Sequence, residues 1–565
     1  MSDTMKLHTP TKKLVAVLSV SALALTACGD DSSNGSGSGS AADGSGVPDA
    51  DFNEQDRDNL KDGGTLTTAI GEISEQQNPF HADGTTYTSN VWSWYNPITT
   101  HYSPDGEWSA DPNYILDVKE EEEDGKTKLT YEINEDATFN DGTPIDWRAW
   151  ETTWKINNGK DEAFTPSSSD GYEQIESVEK GENDKEAVVT FERAYPWWQG
   201  LFGFIAHPEL ANPDNYNSYL KEVHPEWGAG PFKVEDVDFQ NGNATFVRNE
   251  KWWGDTPKLE KRVMRQMETQ AAINAFKNGE IDAVGAGSRS DYASVKDLPN
   301  TEIYVGRAPK NTLFLLNGES DILKDIKVRE AFAKGLDREQ LANIWYQGLP
   351  AKLENPGSFI FYPFQKDYED NFESVAGYHP DEAKQILDEA GWKEDSDGIR
   401  EKDGEKLKLR YVLVGESDLV KSSAQATQQM LKDIGIDIAI DVRPSSEFSK
   451  TLQSKNYDIF PMGFSSGDPF GVAYFGQTYR SDSQLNRSNT GTPELDEKIT
   501  ELQQLPTREE QIERGNELEK EALALYGIIP LNTALGVTAV KTGLANYGPM
   551  AFGDVPIENI GWVEE

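Results

Sequence analysis

Residues 407–462 read LKLRYVLVGESDLVKSSAQATQQMLKDIGIDIAIDVRPSSEFSKTLQSKNYDIFPM. Leu407 to Val414 has the composition of a strand. Ser422 to Ile434 carries small and apolar residues at helical spacing and stops at Gly435. Ile436 to Val442 alternates like a second strand. Ser446 to Lys455 reads as a helix, and Tyr457 to Met462 as a third strand. Strands that alternate with helices in this way predict an α/β lobe rather than a barrel of strands.

The same alternation extends outward. The helix predicted over Ala271 to Asn278 leads into a strand over Glu280 to Val284. Val328 to Leu336 and Arg338 to Tyr346 form a helix pair, Asp381 to Ala390 a helix stopped by Gly391, and Thr507 to Tyr526 a long charged helix. Nearer the start, Gly63 to Ile70, Lys128 to Ile133 and Ala187 to Phe191 read as strands. Asp141-Gly-Thr-Pro144 is a turn signal and Asp146 a helix N-cap. Trp147, Trp150 and Trp154 then fall on one helical face, which favours core packing over cofactor stacking. No fixed-period repeat is present.

At the amino terminus, Lys6, Lys12 and Lys13 precede an apolar run from Leu14 to Leu25. Leu25-Thr26-Ala27-Cys28 follows, and it looks like a lipobox. Cys28, the only cysteine of the 565 residues, is then the lipid acceptor. Met5 is an alternative start. The apolar run is short for a membrane span, which needs about 20 residues, and fits a cleaved signal. Asp30 to Gly46 is rich in Gly and Ser, and with the polar stretch to Asp62 it predicts a flexible tether over 28–62. A chain of this kind spans about 30 Å end to end.

Removing residues 1–27 takes away Asp3 and three lysines, leaving 50 basic and 97 acidic residues and a formal charge of −47. Nucleic acid is excluded as a partner, since phosphate binding needs a basic face. No cysteine remains for disulfides or thiolate metal sites. The 14 Trp, 21 Tyr and 23 Phe supply core for two or three lobes.

Catalytic patterns fail on inspection. Gly463-Phe464-Ser465-Ser466-Gly467 matches G-x-S-x-G after a strand, but such hydrolases need a later histidine, and the last histidine is His379. Asp395 to Asp403 has the flavour of a calcium loop but places Arg400 where glycine belongs; a turn is the better reading. Val284-Gly-Ala-Gly287 lacks the third glycine of a dinucleotide fingerprint. The histidines never cluster at ligand spacing. No catalytic residue, metal site or cofactor is expected.

Several stretches together resemble the extracellular solute-binding proteins of the peptide/nickel ABC-importer family. They are Phe139-Asn-Asp-Gly-Thr-Pro144, Gly228-Ala-Gly-Pro-Phe-Lys233, Val247-Arg-Asn-Glu-Lys-Trp-Trp-Gly254, Gly279-Glu-Ile-Asp282, Ile326-Lys-Val-Arg-Glu-Ala331 with Leu336-Asp-Arg338, and His379-Pro-Asp-Glu-Ala-Lys384 with Ile386 to Trp392. They occur in family order. The resemblance implies a periplasmic-binding-protein-like bilobed clamshell (type II, cluster C) with an extra domain. Lobe I is expected from 63–105, 206–305 and 528–565, the extra domain from 106–205, and lobe II from 306–527. The ligand is expected between lobes that close by hinge motion.

In the family's peptide binders an aspartate in a GWxADY-like segment takes the peptide's α-amino group. Here the matching stretch is Gly463, Phe464, Ser465, Ser466, Gly467 and Asp468. Phe464 replaces the tryptophan, and Gly467 falls where the aspartate belongs. Two readings follow: Asp468, one residue later, makes the same pairing, or the amino-terminal anchor is absent. Trp92, Trp94 and Tyr95 are expected along one wall of the cleft, as is one of Trp197 and Trp198; core packing is the alternative for each ring.

The resemblance implies a monomeric lipid-anchored receptor on the outer face of the cell membrane. It would pass oligopeptides to an ABC permease and its ATPase subunits. The alternatives are another solute (an oligosaccharide, an opine or a metal chelate) and a cell-envelope scaffold without transport.

Overall fold

In a computed structural model, which describes residues 45–415 and 417–564, one ten-stranded sheet organises the fold. Its strands are β1 (Thr65–Ile70), β2 (Phe232–Asp238), β3 (Asn243–Arg248), β4 (Lys261–Gln266), β5 (Ala283–Gly285), β6 (Thr301–Leu316), β7 (Lys408–Val414), β8 (Asp437–Arg443), β9 (Ile459–Ser465) and β10 (Ile528–Lys541). Their spatial order is β8-β7-β9-β6-β10-β5-β1-β4-β3-β2. The signal segment and Cys28 lie outside the described residues.

β6 and β10 are the longest strands and pair antiparallel from Thr301↔Lys541 to Leu315↔Ile528. They carry the sheet from one lobe to the other. Their register breaks between Arg307 and Asn311, where Pro309 can supply no ladder N–H. On one side β1 runs parallel to β4 and β5; on the other β7 runs parallel to β8. Alternate residues of β6 and β7 enter two different cores, so both faces of the sheet are buried there. The fold is therefore a bilobed α/β type II architecture. Among the described residues no helix is long and apolar enough to cross a membrane.

A separate antiparallel sheet joins Ile115–Glu123, Lys126–Ile133, Glu186–Phe191 and Ile175–Lys180. The helix Trp147–Asn157 packs on it, and Asp146 caps that helix by accepting from Arg148 N. Trp150 is fully buried against Tyr131, so this tryptophan face is core. This core is continuous with one face of the second lobe, through Phe202, Trp197, Phe470 and Phe460.

The stretch 407–462 folds as its pattern predicts, with shifted ends. The helix runs Asp418–Lys432, and the last strand is Ile459–Ser465. Lys455 ends the preceding helix with φ +48°. Tyr457 then turns inward, its hydroxyl donating to Arg487 O at 2.9 Å, so the strand begins two residues late.

The tether expected over 28–62 is corrected at its far end. Val47 and Leu60 are buried, Asp51 Oδ2 accepts from Val305 N at 2.7 Å, and Asp49 pairs with the buried Arg307. The segment's carboxylates fasten it to β6 at Val305 and Arg307, while Leu60 pairs with Val563 near the carboxyl terminus.

Candidate functional site

β9 ends at the residues singled out in sequence, and its ladder leaves one edge bare. It pairs with β6 throughout, from Leu316↔Ile459 to Lys310↔Ser465. β7 touches it only at Tyr411↔Ile459 and then diverges. Ser466 N donates to Pro309 O at 3.0 Å, which sets the phase of the ladder. Residues 462 and 464 therefore bond to β6, while the N–H and C=O of Gly463 and Ser465 point away from it. Among the described residues neither group has a partner. Pro461 stands on the same outward phase, where a missing N–H costs nothing. Ser465 and Gly467 are exposed.

Phe464 turns to the opposite face and packs near Phe359, with ring centroids 6.4 Å apart. Ser466 N donates to both Pro309 O and the Tyr362 hydroxyl. Asp468 is part-buried. Its carboxylate accepts from Phe470 N and from the Tyr474 hydroxyl, both at 2.8 Å. No described cation lies within salt-bridge distance of it. Burial without a counter-charge pushes its pKa up to about 6. The arrangement is a bare strand edge ending in a carboxylate that lacks a cation. It holds no nucleophile–base pair: Ser465 lies within a strand rather than on an elbow, and no histidine is near it in the hydrogen-bond network.

Trp92, Trp94 and Tyr95, expected along a cleft wall, are packed in the first lobe instead. Trp92 packs on Phe80 and Tyr219, Trp94 on Phe232 with Arg262 over its ring, and Tyr95 on Phe246. Each is no more than 7% exposed. These rings fill one another's neighbourhoods and have no face left for ligand. Trp197 and Trp198 take different partners. Trp198 packs on Trp108, whereas Trp197 reaches the second lobe: its Nε1 donates to Gln511 at 2.8 Å and Arg508 lies over its ring. Both are buried, so neither of these rings is open to ligand in this arrangement.

Segments expected in different domains touch at several polar points; of these, only Glu72, in the stretch Glu72 to Asn78 after the first strand, was expected near ligand. Ser449 donates to Glu72 Oε2 at 2.7 Å, and Glu268 accepts from both the N and the hydroxyl of Ser445. Burial raises the Glu72 pKa, and the Ser449 bond only partly offsets this. Asp170 accepts from Gln477 N and Gln503 Nε2, and desolvation lifts its pKa to about 7. Sequence also gave no indication of Lys310, opposite Ser465 in the register break of β6.

The family motifs themselves meet elsewhere, as framework. Asn140 N donates to Gly228 O, and Asn249 Nδ2 donates to both Asn140 Oδ1 and Gly230 O. A Cβ on Gly228 would stand 2.5 Å from the Tyr95 carbonyl oxygen, which requires glycine there. Asp282 joins β1 to β10 by accepting from Thr67 N and pairing with Lys541.

Residues 108–486 match the family described as bacterial extracellular solute-binding proteins, family 5 Middle. The chain is 31% identical over 523 residues to the oligopeptide-binding protein OppA of Mycobacterium tuberculosis H37Rv, covering 91% of this chain and 87% of that one. Its fold matches the periplasmic EDTA-binding protein EppA with a TM-score of 0.77 at 23% identity, over 91% of this chain and 98% of the other. It also matches the oligopeptide-binding protein AppA of Bacillus subtilis, solved with a nonapeptide, with a TM-score of 0.76 at 19% identity, over 90% and 100% of the two chains. The family model and the OppA relative agree, and the chain belongs to the extracellular solute-binding proteins of family 5.

Proposed function

We propose that this protein binds oligopeptides between its lobes and delivers them to the membrane permease of an ABC importer. The observation that carries the reading is the unpaired edge at Gly463 and Ser465. An extended peptide can complete the ladder there through main-chain hydrogen bonds, which tolerate many side chains. Asp468 supplies a desolvated carboxylate for the peptide's α-ammonium, the first of the two readings of the 464–468 segment. The resemblance to a curated oligopeptide-binding protein supports the same ligand class. Lipid on Cys28 would hold the protein, as a monomer, at the outer face of the cell membrane and within reach of its permease. The boundaries 63–105, 206–305 and 528–565 for lobe I, 106–205 for the extra domain and 306–527 for lobe II belong to this reading.

The test is mass spectrometry of whatever is released from protein purified without refolding, followed by calorimetry with a mixed peptide pool. Released peptides, or saturable binding from the pool, are expected. A folded protein that repeatedly binds nothing from the pool contradicts the proposal. A second reading, a non-peptide solute, is favoured by Gly467, where the family's peptide binders carry aspartate. It predicts a released compound without peptide bonds.

A further inference from the structure

Lys310 stands out because this chain has 98 acidic and 53 basic residues, yet this lysine has no acidic partner among the described residues. Its Nζ makes no hydrogen bond and no ion pair with any described residue. It sits in the break of the β6/β10 register, opposite Ser465 on β9. Its side chain lies across Gly463. A Cβ on Gly463 would be 2.2 Å from Lys310 Cε and 3.1 Å from Nζ. The missing side chain at 463 is thus the channel that carries the ammonium over β9 toward the bare edge. The side chain remains open to water, but the surrounding protein desolvates it and draws its pKa below the ordinary lysine value.

A peptide residue paired directly opposite Gly463 shows its side chain on the same face as that channel, with Cβ positions about 5 Å apart across the pair. A carboxylate on such a residue would reach the ammonium. We propose that Lys310 is a specificity-determining residue that selects peptides bearing a carboxylate at the position paired opposite Gly463. This rests on the peptide reading above. The carboxylate has two sources, an acidic side chain or the peptide's own carboxyl terminus.

The experiment measures affinities of the full chain and of Lys310→Met and Lys310→Arg by calorimetry at low salt. The probes are penta-alanine, its C-terminal amide, and the five pentapeptides with one glutamate scanned through alanine. A charged hydrogen bond in a partly enclosed site corresponds to a preference of about tenfold or more. If a side chain is recognised, one glutamate position binds about tenfold tighter than penta-alanine. If the terminus is recognised, amidation weakens penta-alanine by a similar factor. In both cases Lys310→Met removes the preference and Lys310→Arg retains it. Equal affinities across the panel, or a preference that survives in Lys310→Met, overturn this proposal and leave peptide binding intact. If no peptide binds any of the three proteins while all remain folded, the peptide reading itself fails, and this proposal with it.

Discussion

Trp92-Ser-Trp94-Tyr95 and Gly463 to Asp468 are both short segments that invite a ligand, and they meet opposite fates. The first holds large amphipathic rings, the usual currency of a binding wall. The second holds mostly small residues. In the fold the rings are spent on Phe80, Tyr219, Phe232 and Phe246. The small residues keep two backbone donor–acceptor pairs and a carboxylate free of any cation. The proposed binding therefore rests on polar groups left unspent rather than on aromatic content.

The sharpest way to break this contrast is Trp92→Ala. Loss of a fully packed ring should cost about 3–5 kcal/mol of stability in denaturant melts, while the protein that remains folded binds peptide as before. Unchanged stability with lost affinity would put the ring back in the cleft.

Asp468→Asn should act in the reverse sense. Affinity for peptides with a free amino terminus should fall by about 2–4 kcal/mol, the cost of truncating a desolvated charge pair. N-acetylated peptides should be insensitive to the change. The free protein should instead gain about 1 kcal/mol at pH 7, because a carboxylate buried without a counter-charge is removed. A variant that loses stability and keeps affinity would show that Asp468 is only a turn residue.

The pH dependence follows from the raised pKa. The folded carboxyl binds its proton more tightly than an ordinary aspartate near 3.8 does, with a value of about 6. The free protein therefore loses stability from this group as pH rises from about 4 to about 6, and regains it as pH falls back. Peptide binding needs the ionised form, so affinity for free-amino peptides should weaken as pH falls through about 6. In Asp468→Asn that slope should flatten; an equal slope in both proteins assigns it to another group, such as Asp170 or Glu558.

A smaller effect separates the two phases of β9. Ser465→Pro removes an N–H that bonds nothing in the free protein, so stability should stay within about 1 kcal/mol. Peptide affinity should drop about tenfold, the worth of one hydrogen bond. Phe464→Pro removes an N–H bonded to β6 and should destabilise by about 3 kcal/mol. Similar melts for the two variants would contradict the phase set by Ser466 and Pro309.

The α/β class, the helices around Ser422 and Thr507, and the cap at Asp146 were legible because each depends on local periodicity and capping chemistry. The family motifs were legible too, and Asn140, Gly228 and Asn249 bond to one another as part of the frame. β6 and β10 were not predicted as strands. The register break at Gly306-Arg-Ala-Pro-Lys310 lies inside a single strand, and a proline in its middle leaves no local strand signal there. Lys310 had one weak signal, a charge facing a glycine. That signal needs the β6/β9 register to be seen. The fate of Trp92, Trp94 and Tyr95 depended on partners up to about 150 residues away, such as Phe246, which no local pattern contains.

The central claim is that a peptide adds as a strand to the bare edge of β9. Residue-resolved amide hydrogen exchange, with and without a bound pentapeptide, tests it most directly. The account predicts that the Gly463 and Ser465 amides gain protection on binding. Those of Met462 and Phe464, already bonded to β6, should change little. Peptide bound at saturation with no added protection at Gly463 and Ser465 would contradict it.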